Sequence, residues 1–167
     1  QAARQTGSSF KAFVYLSALD KDYTPATPII DAPVVYDEEV EEGQDGTTTS
    51  KDLKEPVVKT WRPKNISNKF GGDILFRNAL IRSLNVPTVK GIEHVGVDWA
   101  SQYARRLGIF SPLNMDFTLA LGSSSVTLYE MTRAFGIIGR MGQKLSPVII
   151  PKVSDQPGKE LAKKTGL

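Results

Sequence analysis

Apolar residues recur at helical spacing in several stretches of this 167-residue chain, separated by segments rich in proline, glycine or acid. The first, "SSFKAFVYLSAL" over residues 8–19, sets Phe10, Phe13, Val14 and Leu16 near a 3.6-residue period and predicts a helix, with Gly7 and Ser8 marking its start. "DYTPATPIIDAPVVYDEE" follows, and Pro25, Pro28 and Pro33 make it extended or turning rather than helical. "DILFRNALIRSLN" (73–85) gives a second stripe of Ile74, Phe76, Ala79, Leu80 and Leu84, with Asp73 as the predicted N-cap and the helix ending before Pro87. Further helices are predicted from Asp98 to Leu107, stopped by Gly108, and from Thr127 to about Met141, stopped by Gly142. The β-branched "SPVIIPKV" near the end suits a short strand or extended segment.

Residues 37–60 break this pattern. They run from acidic through "GQDGTTTSKD" to mixed charge, with too few large apolar groups to offset their ordering entropy, and are expected to form a mobile acidic insertion at the surface. "WRPKNISNKFGGD" (61–73) restores aromatic and turn residues and reads as an ordered loop. There is no internal repeat of solenoid period. The whole is mainly α, with too few strand signals for a complete sheet.

Composition narrows the chemistry more than the fold. With 40% hydrophobic and 23% charged residues the chain is an ordinary globular sequence, long enough to bury a core. It has no cysteine, which excludes a disulfide framework, a thiolate nucleophile and a cysteine-rich zinc site. His94 is the one histidine, so a multi-histidine metal site is excluded too, and His94 reads as structural; no metal or cofactor is expected. The net charge is +3, but six of the 18 acids sit in "YDEEVEEGQD", leaving 21 basic residues against 12 acids elsewhere. Those bases, Arg105, Arg106, Lys163 and Lys164 among them, lack the aromatic interleaving of a nucleic-acid platform, and no nucleic-acid partner is expected. No segment reaches the run of about 18 apolar residues that a membrane span needs. The first residue is Gln, and the chain is expected to be part of a longer protein.

Ser8 and Lys11, three apart where a glycine hands over to an apolar run, are the first candidate chemistry. A serine hydroxyl needs a base within reach, and a residue three further along a helix lies on the same face. A lysine desolvated by Phe10, Phe13 and their neighbours can lose enough basicity to take the serine proton. The bland alternative is that Ser8 or Ser9 caps a helix while Lys11 is solvated. Ser83 and Asn85, in "SLN", form the second candidate element. Ser83 can relay a proton to a leaving group, and Asn85 can bind a substrate amide or hold Lys11. Alternatively Ser83 is an ordinary helix residue and Asn85 a C-cap before Pro87.

Taken together, "RQTGSSFKAFVYLSALDKDYTPATPIIDAP", "WRPKN" with "GGDILFRNALIRSLNVPTVK", and "LALGSSSVTLYEMTRAFGIIGRMG" resemble the transpeptidase domain of class A penicillin-binding proteins nearly end to end. The resemblance implies a peptidoglycan D,D-transpeptidase. Ser8 would attack the D-alanyl-D-alanine carbonyl of a stem peptide, Lys11 would activate it, Ser83 would relay the proton, and Asn85 would be the second-motif asparagine that binds substrate. It implies stem peptides and β-lactam antibiotics as ligands. It also implies a glycosyltransferase domain upstream in the parent chain, and a parent anchored by an N-terminal membrane helix with this domain on the periplasmic or outer side of the cytoplasmic membrane.

Two departures from the family pattern stand out. The acidic insertion between the first two motifs is longer than usual. The third motif, Lys-Thr-Gly, has a counterpart only in Lys164-Thr165-Gly166, at the extreme end of the chain, after a shorter interval than the family keeps and without the following Thr or Ser. The family's central antiparallel sheet comes from strands before the first motif and after the third. The expected fold is therefore the helical part of a penicillin-binding protein/serine β-lactamase-like α+β domain with that sheet largely missing. Alternatives in the same chemistry are a D,D-carboxypeptidase or β-lactamase-like hydrolase and a penicillin-binding module without turnover. An inactive helical interaction segment is the non-enzymatic one.

Overall fold

The computed structural model describes residues 2–40, 57–144, 146–148, 150, 152–154 and 160–163. The order is β1 (Ala3–Gln5), a 3₁₀ turn (Gly7–Phe10), α1 (Lys11–Lys21), β2 (Pro28–Asp31), β3 (Tyr36–Val40), β4 (Val57–Trp61), β5 (Gly72–Leu75) and α2 (Phe76–Ile81). Then come α3 (Asn85–Val95), α4 (Val97–Arg106), a second 3₁₀ segment (Phe117–Leu121), β6 (Ser125–Thr127), α5 (Leu128–Gly139), β7 (Lys152–Ser154) and β8 (Glu160–Lys163). Among the described residues the strands form four separate two-stranded antiparallel ladders, β1 with β6, β2 with β5, β3 with β4 and β7 with β8. The expectation of a mainly helical chain without a complete sheet holds.

Helix α1 is the centre of the core because it is apolar nearly all round: Phe13, Val14, Tyr15 and Ala18 are buried, as is Phe10 just before it. Helix α3 packs on it through Val89 and Ile92. Helix α4 presents Ala100 and Ala104, small enough for close approach, and the Trp99 indole N–H donates to the Ser17 carbonyl at 3.0 Å. Tyr15 stacks on Phe76 with ring centroids 4.1 Å apart, tying α2 to the same core. Thr127, where the sequence predicted the helix to begin, starts α5 with a reciprocal cap, its hydroxyl and N–H paired with Glu130.

The predicted helix over 73–85 is corrected. Its first three residues belong to strand β5, whose Asp73 pairs with Ile30 of β2, so Asp73 is not an N-cap. Helix α2 is short, Ser83 turns the chain with a left-handed φ of 52°, and α3 begins at Asn85. Pro87, read as a stop, is the third residue of α3. A proline fits a first helical turn because its missing N–H would have no intrahelical partner there. Asn85 is therefore a helix start rather than a C-cap.

The acidic segment is strand at both described ends: Tyr36–Val40 pairs with Val57–Trp61, and residues 41–56 lie outside the described residues. Tyr36 anchors this ladder, packing on Phe117 at 4.9 Å and donating to Glu93 at 2.7 Å. Strand β7 falls at the end of the predicted "SPVIIPKV" segment. Lys164, Thr165 and Gly166 lie outside the described residues.

Candidate active site

The site begins where β1 runs into α1. Gly7 adopts a φ of 53°, a left-handed value that glycine takes without strain, and turns the chain into the 3₁₀ segment that carries Ser8 and Ser9. Gly122, from the "LGS" stretch, backs this turn. Gly7 N–H donates to the Gly122 carbonyl at 3.2 Å, and a Cβ placed on Gly122 would overlap the Gly7 oxygen and nitrogen. The closeness of these two backbones is what requires glycine at 122. Ser8 is exposed, and the Lys11 N–H donates to the Ser8 carbonyl. Residues three apart in a 3₁₀ turn eclipse each other, so Ser8 and Lys11 share a face.

Lys11 is 1% exposed. Its Nζ lies 2.7 Å from the Ser83 carbonyl, 2.7 Å from Asn85 Oδ1 and 3.2 Å from Ser83 Oγ. Among the described residues no carboxylate stands within ion-pairing distance of it. Burial without a counter-ion disfavours the ammonium form and pushes the Lys11 pKa down from 10.5 to about 8. Nζ donates to all three oxygens, and after losing one hydrogen it can keep the two carbonyl-type acceptors and turn its lone pair to the one partner that can also donate, the Ser83 hydroxyl.

Asn85 is held at both ends of its amide. Oδ1 faces Lys11 and Nδ2 donates to the Lys64 carbonyl at 2.7 Å. Behind it, Asn65 accepts the Asn85 and Val86 N–H groups on Oδ1, at 2.9 and 3.2 Å, and donates from Nδ2 to Asp31 at 2.8 and 3.0 Å. The structure thus brings Lys11, Ser83 and Asn85 together, with Ser8 one turn before Lys11. Asp31, Asn65 and Gly122 were not singled out from sequence, although Asn65 lies within "WRPKN" and Gly122 within "LGSSS", two stretches that carried the family resemblance.

An open cavity of about 630 Å³ borders the turn on the side of Ser9, lined in part by Arg4, Thr6, Val126, Leu128 and Phe135. None of Ser8, Lys11, Ser83 or Asn85 lines it. His94 lies elsewhere, its Nε2 2.9 Å from an Asp22 oxygen, and among the described residues no group of three or more metal-ligating side chains occurs.

No family model matches the chain. Curated relatives do: penicillin-binding protein 1A of Pseudomonas aeruginosa is 35% identical over 162 residues, 96% of this chain and 18% of that protein. The same-named protein of Neisseria lactamica is 35% identical over 161 residues, again 18% of its length. The crystal structure of penicillin-binding protein 1A from Haemophilus influenzae superposes with a TM-score of 0.81 at 29% identity, covering 99% of this chain and 22% of that one.

The chain belongs to the class A penicillin-binding protein family.

It spans less than a fifth of the length of these curated penicillin-binding proteins. A penicillin-binding protein of Mycobacterium tuberculosis shares the fold at 20% identity, with a TM-score of 0.71 over 98% of this chain. The expected fold, the helical part of a penicillin-binding α+β domain with little sheet, is the one observed.

Proposed function

We propose that the chain supplies the nucleophile half of a serine D,D-transpeptidase that cross-links peptidoglycan stem peptides and is acylated by β-lactams. The observation that carries this reading is Lys11, a buried lysine with no counter-ion among the described residues, packed against Ser83 and Asn85 one turn beyond an exposed serine.

In the proposed reaction the neutral Lys11 amine takes the Ser8 hydroxyl proton as Ser8 Oγ attacks the carbonyl carbon of D-alanyl-D-alanine. The tetrahedral intermediate collapses and the carbon–nitrogen bond breaks. The proton passes from Lys11 through Ser83 to the departing amine, leaving an ester on Ser8 and a neutral lysine. An amine of a second stem attacks that ester, giving its proton back through the same groups as Ser8 leaves. A β-lactam opens its ring along the first half, its amine remaining tethered to the acyl group.

The family relation supports the accompanying assignments: a longer parent carrying a glycosyltransferase domain, anchored in the cytoplasmic membrane, with this domain on its outer side. Among the described residues no helix is long and apolar enough to cross a membrane.

The test is covalent labelling. Incubation with a fluorescent penicillin should raise the intact mass by one drug, on the peptide holding Ser8, and Ser8→Ala should abolish it. Labelling that survives Ser8→Ala refutes the assignment of the nucleophile.

A further inference from the structure

Helix α3 opens with the N–H groups of Asn85 and Val86, which no intrahelical carbonyl can accept, and the preceding residue, Leu84, has no side chain able to cap them. Helix α5 solves the same problem locally with Thr127 and Glu130. Helix α3 instead receives its cap from 20 residues upstream, where Asn65 Oδ1 takes both N–H groups.

That arrangement needs further buried polar groups. Asn65 and Asp31 are 2% and 1% exposed. The Asn65 Nδ2 donates to both Asp31 oxygens and, at 3.0 Å, to the Lys69 carbonyl, while Asp31 also accepts the Gly71 N–H at 2.8 Å. Burying an amide and a carboxyl group is costly unless every bond is made, and here the bonds are made. The network fixes which way the Asn65 amide faces: nitrogen to Asp31, oxygen to α3.

The helix end held in this way is the one that meets Lys11. Lys64, the neighbour of Asn65, accepts from Asn85 Nδ2, so the Asn85 backbone and side chain are both gripped by the same two residues. What remains of Asn85, its Oδ1, faces the Lys11 amine, and Ser83 stands two residues before it in a left-handed turn. Loosening the cap frees the Ser83 and Asn85 groups that close over Nζ.

We propose that Asn65, locked by Asp31, is a positioning residue that holds Asn85 and Ser83 against the Lys11 amine through the start of α3. The inference rests on the reading of Lys11 as the base that activates Ser8.

The experiment is the pH profile of acylation by a fluorescent penicillin, in the native-length protein, for wild type, Asn65→Ala, Asp31→Asn and Ile92→Val. Ile92 packs α3 into the core away from its capped end, so Ile92→Val loosens the helix without touching the cap. Wild type should acylate with a midpoint near 8, where the buried amine loses its proton. In Asn65→Ala water reaches the amine, so the midpoint should rise by about half a pH unit or more, with acylation at neutral pH at least about threefold slower. Ile92→Val should lower the melting temperature and leave the midpoint in place. Complete loss of acylation from folded Asn65→Ala also supports the proposal. A midpoint less than half a unit above wild type overturns it, whatever the rate. If Asn65→Ala does not fold, Asp31→Asn, which keeps its volume, decides by the same criterion. If neither wild type nor Ile92→Val acylates at any pH, the proposed function fails rather than the positioning role.

Discussion

Lys11 should make the protein less stable at neutral pH than at moderately alkaline pH, and the size of the effect follows from its burial. Its pKa is about 8 in the folded chain against 10.5 for the free side chain. The unfolded chain therefore binds more protons than the folded one between those values, and stability rises with pH across that window. Below the folded value the penalty is fully present. At about pH 7 it amounts to about 3 kcal/mol, and at about pH 9.5 to roughly 1.4 kcal/mol, so about 2 kcal/mol is recovered between them. Lys11→Met keeps the stem and has nothing to titrate. It also leaves the Ser83 carbonyl and Asn85 Oδ1 without their donor, but that cost does not vary over this range. Urea unfolding of both proteins at the two pH values isolates the contribution as a difference of differences. The tyrosines whose pKa burial raises, Tyr15 to about 12 among them, are common to both and cancel. A wild-type advantage that changes by less than about 0.5 kcal/mol would mean that Lys11 titrates as a solvated amine, and the argument for a neutral base would fall with it.

Two substitutions test the frame around the site. Gly122→Ala should cost about 1–2 kcal/mol for its left-handed φ alone, with more from the Cβ overlap on the Gly7 backbone, and should suppress penicillin labelling at Ser8 more than its fall in melting temperature explains. Thr127→Ala removes the hydroxyl that accepts the Glu130 N–H and should cost about 1 kcal/mol in urea unfolding while leaving labelling intact, because among the described residues the side chains of this cap make no hydrogen bond to Ser8, Lys11, Ser83 or Asn85.

The helices α1, α4 and α5 were legible because their apolar stripes are periodic and their ends carry local signals: Gly7, Gly108, and Thr127 three residues before Glu130. The break between α2 and α3 was not. An apolar run through Leu84 and Val86 hides a left-handed serine, closed by bonds from the Ser83 and Leu84 N–H groups to the Leu80 and Ala79 carbonyls, and Pro87 signals a helix start as readily as a stop. Strand β2 was legible as extended from its prolines, but its pairing with β5 was not, since Asp73 and Ile74 also fit a helical stripe. Lys11 was readable as a buried amine from the aromatics around it. The partners that close over it were readable as residues, Ser83 and Asn85, and their support by Asn65 and Asp31 was not, because a polar residue buried by partners 20 and 34 positions away leaves no local pattern.

The contact between Gly7 and Gly122 also carries a kinetic consequence. The adjoining hydrogen bond from Thr6 to Gly122 spans 116 residues. At roughly 5–20 residues per second of synthesis, the turn bearing Ser8 waits about 6–23 seconds before the residue that backs it exists. Contacts of such span carry a large loop-closure entropy and form late in refolding as well. The Ser83 and Asn85 groups that close over Lys11 lie 72 and 74 residues on, so the partners of the lysine emerge before the glycine that backs the serine, and the reactive turn is the last part of the site to be completed.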